Sequence, residues 1–193
     1  MLLSRRFEEA LVYAARLHAN QRRKGSDVPY VSHLLSVAAL VLEHGGTEDE
    51  AIAALLHDAV EDQGGAATRA EIAERFGSGV AEIVDGCTDS GETPKPDWLP
   101  RKQAHLACMH QASTSVRLVM AADKLANIRS ILTGYRQQGE ALWRVFKGGR
   151  DGTLWYYRAA ADALAEHGQA PIVGELLAAV DELEALTRQR SAE

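Results

Sequence analysis

One short string crowds ionisable residues into an otherwise apolar stretch: LLHDAVED, residues 55–62. His57 and Asp58 are neighbours, and Glu61 and Asp62 follow at i+4 from each of them. Residues four apart share a helix face, so both pairs are expected to project together. The same face borders Ile52, Leu55, Leu56 and Val60. Ionised groups at the edge of a core stripe are costly to bury unless something satisfies them, and a divalent cation does so. Imidazole with carboxylate suits Mn²⁺, Fe²⁺ or Zn²⁺ better than Ca²⁺.

One His-Asp pair does not complete a coordination sphere. His33, in PYVSH, and Asp123, in VMAADKLAN, are the candidates to complete it. Asp123 follows Leu118, Val119 and Ala122, the pattern of a buried helix. Together His33, His57, Asp58 and Asp123 offer two nitrogens and two carboxylates, with positions left for water and substrate. Each feature alone has a plainer reading. A His-Asp dipeptide arises by chance, and a histidine at a helix start caps it or faces solvent. Asp123 beside Lys124 makes a surface ion pair of little weight, and Glu61-Asp62 sits solvated at a helix end. Four such residues in order, each on an apolar helix, favour a metal centre.

A basic cluster, QRRKG (21–25), places Arg22, Arg23 and Lys24 just upstream of His33. In a chain of net charge −6, this local positive charge reads as a grip for phosphate or nucleotide. The plainer alternative is a solvated helix C-terminus favoured by the dipole.

The elements that must position these residues are helical almost throughout. The spacing predicts helices over residues 5–22, 32–44 and 48–62, the last opened by Thr47 as N-cap with acidic residues in its first turn. Thr68-Arg69-Ala70-Glu71 reads as a capping box opening a helix that ends at Gly77, and residues 79–86 form another. DSGETPKPDWLP (89–100) reads as irregular. Helices resume over 101–112 and 115–133, are interrupted by KGGRDG (147–152), and return over 152–167 and 171–189. No alternating β-branched run suggests a sheet. The expectation is all-α: a single domain over residues 1–193, a helical bundle of about eight to ten helices.

The 193 residues are 46% apolar and 25% charged, the composition of a globular protein rather than a disordered one. The longest apolar runs, such as LLSVAALVL (34–42), fall short of the roughly 20 residues that span a bilayer. The start, MLLSRRFEEA, does not read as a secretory signal. Two cysteines, Cys87 and Cys108, cannot build a disulfide framework, so a cytoplasmic home is expected. The acidic balance argues against a nucleic-acid partner.

With these residues in view, the chain resembles the HD phosphohydrolase superfamily, and more narrowly the alarmone hydrolase domain of Rel/SpoT enzymes and its small stand-alone versions. HANQRRKGSDVPYVSH (18–33), AALLHDAVEDQ (53–63), RFGSGVAEIVDGCTD (75–89), PRKQAHLA (100–107) and AADKLANIRSI (121–131) carry the resemblance, over a core of about residues 7–131. WRVFKGGRDGTLWYYRAAADAL (143–164) resembles small bacterial members, leaving 132–193 as C-terminal helices. The resemblance implies ligation of one divalent metal, usually Mn²⁺, by His33, His57, Asp58 and Asp123. It implies a catalytic role for Glu61 and Asp62. It places Arg23 and Lys24 against base and phosphates, Asn127 against the ribose, Ser130 on the base side, and Lys147 and Arg150 toward the distal phosphates.

The implied reaction removes the 3′-pyrophosphate of (p)ppGpp-type nucleotides, giving the 5′-nucleotide and pyrophosphate. About sixty residues follow residue 131, too few for a synthetase half. Leu34 after His33, Gln63 after the Glu-Asp pair, and Ala126 depart from the family pattern and leave guanine or adenine open as the base. The rival readings are hydrolysis of another phosphorylated nucleotide and a non-catalytic domain that senses alarmone or metal. Trp98 is a candidate to close over the nucleotide, and His18, His44, His105, His110 and His167 are assigned to surface or packing roles. The aliphatic C-terminal helix either packs on its own core or pairs with a second copy, leaving monomer or homo-oligomer open.

Overall fold

A computed structural model describes residues 3–89, 96–168 and 170–190. Among them the regular structure is ten α-helices and one 3-10 segment, with no strand beyond an isolated bridge between Arg22 and Pro29. In chain order these are α1 (Arg5–Leu17), α2 (Val31–Glu43), α3 (Glu48–Leu56), α4 (Ala59–Asp62), α5 (Gly65–Phe76) and α6 (Ser78–Cys87). Next come α7 (Trp98–Met109), α8 (Thr114–Gln138), the 3-10 segment (Gly139–Val145), α9 (Gly149–Ala165) and α10 (Pro171–Arg190). The all-α expectation holds.

The core is built around α3 and α8. Every residue from Ala51 to Leu56 is buried, so α3 is covered on all sides. It packs on α1, α2, α6 and α8. Such a helix needs a firm start, and Thr47 provides it: its hydroxyl accepts from Glu50 N while the Glu50 carboxylate accepts from Thr47 N, a complete capping box. Along α8, Val119, Ala122, Leu125 and Ile128 are fully buried. α10 lays Ile172, Leu176, Val180 and Leu183 onto this core against α8 and α9, so its apolar face is occupied within the chain.

The helix expected over 48–62 is broken. His57 and Asp58 lie between α3 and α4, with Asp58 at φ −98°, ψ −3°. The apolar stripe runs through the break unchanged, so periodicity could not reveal it. The break has a geometric reason. Adjacent residues on a straight helix point about 100° apart, whereas here His57 Nε2 and Asp58 Oδ2 come within 3.1 Å. Thr68 opens no helix. Gly64 and Gly65, at φ +136° and +61°, turn the chain so that α5 begins before it, and the Thr68 hydroxyl donates to Gln63 O at the end of α4. Within the stretch expected to be irregular, residues 90–95 lie outside the described ones, and α7 already starts at Trp98.

Candidate metal centre

Three long-range pairings bring the four candidate ligands together. α2 supplies His33 from its first turn, the α3–α4 break supplies His57 and Asp58, and the middle of α8 supplies Asp123. His33 Nε2 lies 3.1 Å from Asp123 Oδ1 and 3.7 Å from Asp58 Oδ2. His57 Nε2 lies 3.1 Å from Asp58 Oδ2 and 3.6 Å from Asp123 Oδ1. The two imidazoles meet edge to face, with centroids 5.2 Å apart. His33, His57 and Asp123 are buried, and Asp58 is half-buried.

Whether these groups suit a cation can be decided from His57. Its Nδ1 sits 2.7 Å from Ala54 O, so Nδ1 carries the hydrogen and, in the neutral ring, Nε2 carries a lone pair. That Nε2 is buried without a well-formed hydrogen bond. A lone pair facing two carboxylate oxygens is repulsive unless positive charge sits between them. Burial opposes a charged His33 and pushes its imidazole below the usual value. Burial opposes the charge on His57 too, but the Asp58 and Asp123 carboxylates raise it well above the usual value. Burial likewise disfavours ionised Asp58 and Asp123. His57 beside the first and Lys124 beside the second nevertheless hold both below the usual carboxylate range. His33, His57 and Asp58 offer ligand atoms within 4.8 Å of one another, and Asp123 Oδ1 approaches both imidazoles, a donor set that fits a divalent ion of the Mn²⁺, Fe²⁺ or Zn²⁺ type.

Both carboxylates are themselves held. The Tyr30 hydroxyl donates to Asp58 Oδ2 at 2.5 Å. Asn127 Nδ2 donates to Asp123 Oδ1 at 2.5 Å, and Asn127 Oδ1 accepts from Arg23 at 2.7 Å. Arg23 also lies 5.6 Å over the Tyr30 ring, so one guanidinium braces the supports of both carboxylates. Lys124 makes no surface ion pair. It is 8% exposed, and its ammonium donates to Asp123 Oδ2 at 2.5 Å. Burial opposes that charge, but Asp123 raises the ammonium well above its usual value.

Glu61 and Asp62 face different partners. Glu61 Oε2 accepts from Asp89 N at 3.3 Å, and Glu61 Oε1 is 3.9 Å from Arg101. Asp62 Oδ2 accepts from Gln21 Nε2 at 2.8 Å. Among the other expected substrate contacts, Lys24, Ser130 and Lys147 are exposed, and no described contact joins them to the centre. Arg150 lines a groove between α9 and α10 with Trp155, Arg158 and Arg188. Trp98 does not lie over the ligands. Its indole is seated against Gly148 and Gly152 at the start of α9, and a Cβ on Gly148 would fall 2.6 Å from it.

A second basic group escaped the sequence reading. Arg101 and Lys102, on α7, both donate to Asp89 Oδ2, the lysine at 2.6 Å. The Lys102 ammonium also lies 4.5 Å over the Tyr156 ring. Lys124 lies over the same ring at 5.8 Å, and Arg101 stands 3.9 Å from Glu61. Adjacent Arg and Lys in PRKQAHLA, in an acidic chain, were the available signal. His105, on the same helix, is 3% exposed and pushed down to about 3 by burial, with the Lys124 charge adding to it. It is neutral when folded. Between pH 7 and 5 the unfolded chain takes up a proton there that the folded chain refuses, so stability falls as pH falls. Thermal melts of His105→Gln should show a shallower loss of Tm from pH 7 to 5 than the parent; equal slopes would refute the assignment.

This all-helical arrangement around a His/Asp centre is that of a metal-dependent phosphohydrolase fold. The HD domain family matches residues 10–154, and the chain belongs to that family. Among relatives, it is 40% identical to guanosine-3′,5′-bis(diphosphate) 3′-pyrophosphohydrolase MESH1 of Xenopus tropicalis over 126 residues, 64% of this chain and 68% of that one. The Homo sapiens MESH1 is 38% identical over the same shares. A solved structure described as a metazoan ortholog of SpoT that hydrolyzes ppGpp aligns over 98% of both chains, with a TM-score of 0.75 at 27% identity. No helix among the described residues is long and apolar enough to cross a membrane.

Proposed function

We propose that the protein, working as one unit, hydrolyses the 3′-pyrophosphate of a (p)ppGpp-type nucleotide, with Mn²⁺ held by His33, His57, Asp58 and Asp123. The observation that supports this reading is the buried cluster of His33, His57 and Asp58, with Asp123 Oδ1 beside both imidazoles. The kinship with named 3′-pyrophosphohydrolases supports the substrate class.

A divalent ion in this centre supplies Lewis-acid polarisation of phosphoryl oxygen and a lowered water pKa. The chain does the rest. Glu61 and Asp62 orient the attacking water and take its proton. Water oxygen bonds to the phosphorus attached at the 3′-oxygen, and the bond from that phosphorus to the 3′-oxygen breaks. The proton taken from the water passes to the departing 3′-oxygen, so the ribose leaves with a free 3′-hydroxyl and pyrophosphate departs. Arg23, Lys24, Arg101, Lys102 and Lys124 spread positive charge over the phosphates as that bond breaks. Asn127 stands on the nucleoside side of the centre, whereas Arg150, in the groove between α9 and α10, is given no part in gripping the phosphates.

The test is pyrophosphate release from ppGpp and ppApp by purified protein loaded with Mn²⁺, with EDTA as control. EDTA-sensitive release is the expected result, and the ratio of the two rates assigns the base. No release from either by folded, metal-loaded protein overturns the reading in favour of another phosphorylated metabolite or a sensor domain.

A further inference from the structure

We propose that Gln21 is a positioning residue for Asp62, its amide locked by His18 and Gln63 so that only its NH₂ end faces the carboxylate. Gln21 lies in the loop between α1 and α2. Its backbone is pinned on both sides: its N–H donates to His18 O at 3.0 Å, and its carbonyl accepts from Tyr30 N at 2.9 Å. The side chain then makes three hydrogen bonds. Gln63 Nε2 donates to Gln21 Oε1 at 2.6 Å, and His18 Nδ1 meets the same oxygen at 2.6 Å. Gln21 Nε2 donates to Asp62 Oδ2 at 2.8 Å.

An amide oxygen has two lone pairs, and here both are taken by donors. Rotating the amide by half a turn would set its oxygen against the Asp62 carboxylate, which can only accept, so the carboxylate holds the NH₂ end toward itself; in that orientation Gln21 Oε1 accepts from Gln63 Nε2 and from the His18 tautomer that carries its hydrogen on Nδ1. His18 cannot yield, because it is 2% exposed and stacked on Tyr30, with ring centroids 5.3 Å apart and planes 19° from parallel. Tyr30 in turn holds Asp58. The relay therefore ties the aim of Asp62 to the same aromatic pair that braces a metal ligand. Gln63 supplies the second lock because its side chain is long enough to reach back across the end of α4 to the α1–α2 loop.

The inference rests on Asp62 acting in the hydrolysis, and the experiment separates the two. Turnover, KM and bound metal are measured for Asp62→Asn, Gln21→Leu and the double variant, with melts to confirm folding. Displacing a reacting group by a fraction of an ångström costs rate rather than affinity. Gln21→Leu is therefore expected to lower kcat about 10- to 100-fold, with KM within about twofold and metal content unchanged. The double variant is expected to be no slower than Asp62→Asn, because Gln21 has no other task in the reaction. Gln21→Glu, nearly isosteric, sets oxygen against oxygen and should be at least as slow; it carries the same comparison if the leucine variant does not fold. Wild-type turnover in Asp62→Asn overturns the role of Asp62 itself. Slow Asp62→Asn with wild-type kcat in Gln21→Leu, or a raised KM with kcat intact, overturns the relay alone.

Discussion

Asp58→Ala is expected to lose both bound metal and turnover while the helical bundle stays folded. Asp58 Oδ2 is the oxygen nearest His57 Nε2, at 3.1 Å, and it lies 3.7 Å from His33 Nε2. No other described carboxylate stands at that position, since Asp123 approaches from α8 on the His33 side. Removing a group that merely supports a ligand typically costs about 10- to 100-fold in metal affinity, so removing a ligand should cost more. Without the ion, the lowered water pKa and the polarised phosphoryl oxygen are both lost, and the rate should fall by at least about three orders of magnitude. Asp58 sits at the break between α3 and α4 and is only half-buried, so melts should show a folded protein. Elemental analysis after dialysis and an assay of pyrophosphate release are the measurements. Metal retained at one equivalent in Asp58→Ala would remove Asp58 from the ligand set.

How much of this was legible in the sequence depends on distance along the chain. Local signals read well. Thr47 with acidic residues behind it gave a capped α3, and the glycine-bearing stretch at 147–152 marks where α9 starts. The break at His57–Asp58 did not read, because both sides of it continue the same apolar stripe and the cause is tertiary: two neighbouring side chains must reach one point. Thr68 misled because a capping box is a local pattern, whereas two positive-φ glycines upstream had already started the helix.

The candidate ligand positions stood out because each is a polar residue set in an apolar stretch, a mismatch that the sequence exposes. Their supports did not stand out. Tyr30 reads as an ordinary aromatic until its hydroxyl is found on Asp58, 28 residues away. Arg23 and Asn127, expected against the base, phosphates and ribose, give no sign in the sequence that they are bonded to each other across 104 residues. Lys124 read as a surface partner of Asp123 because a lysine is almost never buried unpaired. Here Asp123, Tyr156 and Tyr157 enclose it, and the pairing that looked superficial sits at the heart of the site. Removing either partner of such a pair strands a buried charge, so Asp123 serves both the centre and the fold.

Glu61→Gln is the sharpest test of the division between holding the metal and doing the chemistry. Glu61 is close to the centre but belongs to a different set of contacts. Its carboxylate takes a hydrogen bond from Asp89 N and faces the Arg101 guanidinium, while the four ligands face one another. Glutamine keeps the length, the volume and an oxygen that can still accept from Asp89 N, so neither the fold nor the ligand set should change. What it removes is the negative charge and the ability to take a proton. A positioned acid–base group contributes about 10²- to 10⁴-fold, and the loss in kcat should fall in that range. Metal content should stay at the parent level, and KM should move little on the proposed reading, in which Arg23, Lys102 and Lys124 rather than Glu61 grip the phosphates. The pattern to look for is therefore one equivalent of metal, intact melting behaviour and a collapsed kcat. Loss of metal would make Glu61 a ligand and redraw the centre. Retained turnover would leave Asp62, aimed by Gln21, as the group that handles the proton.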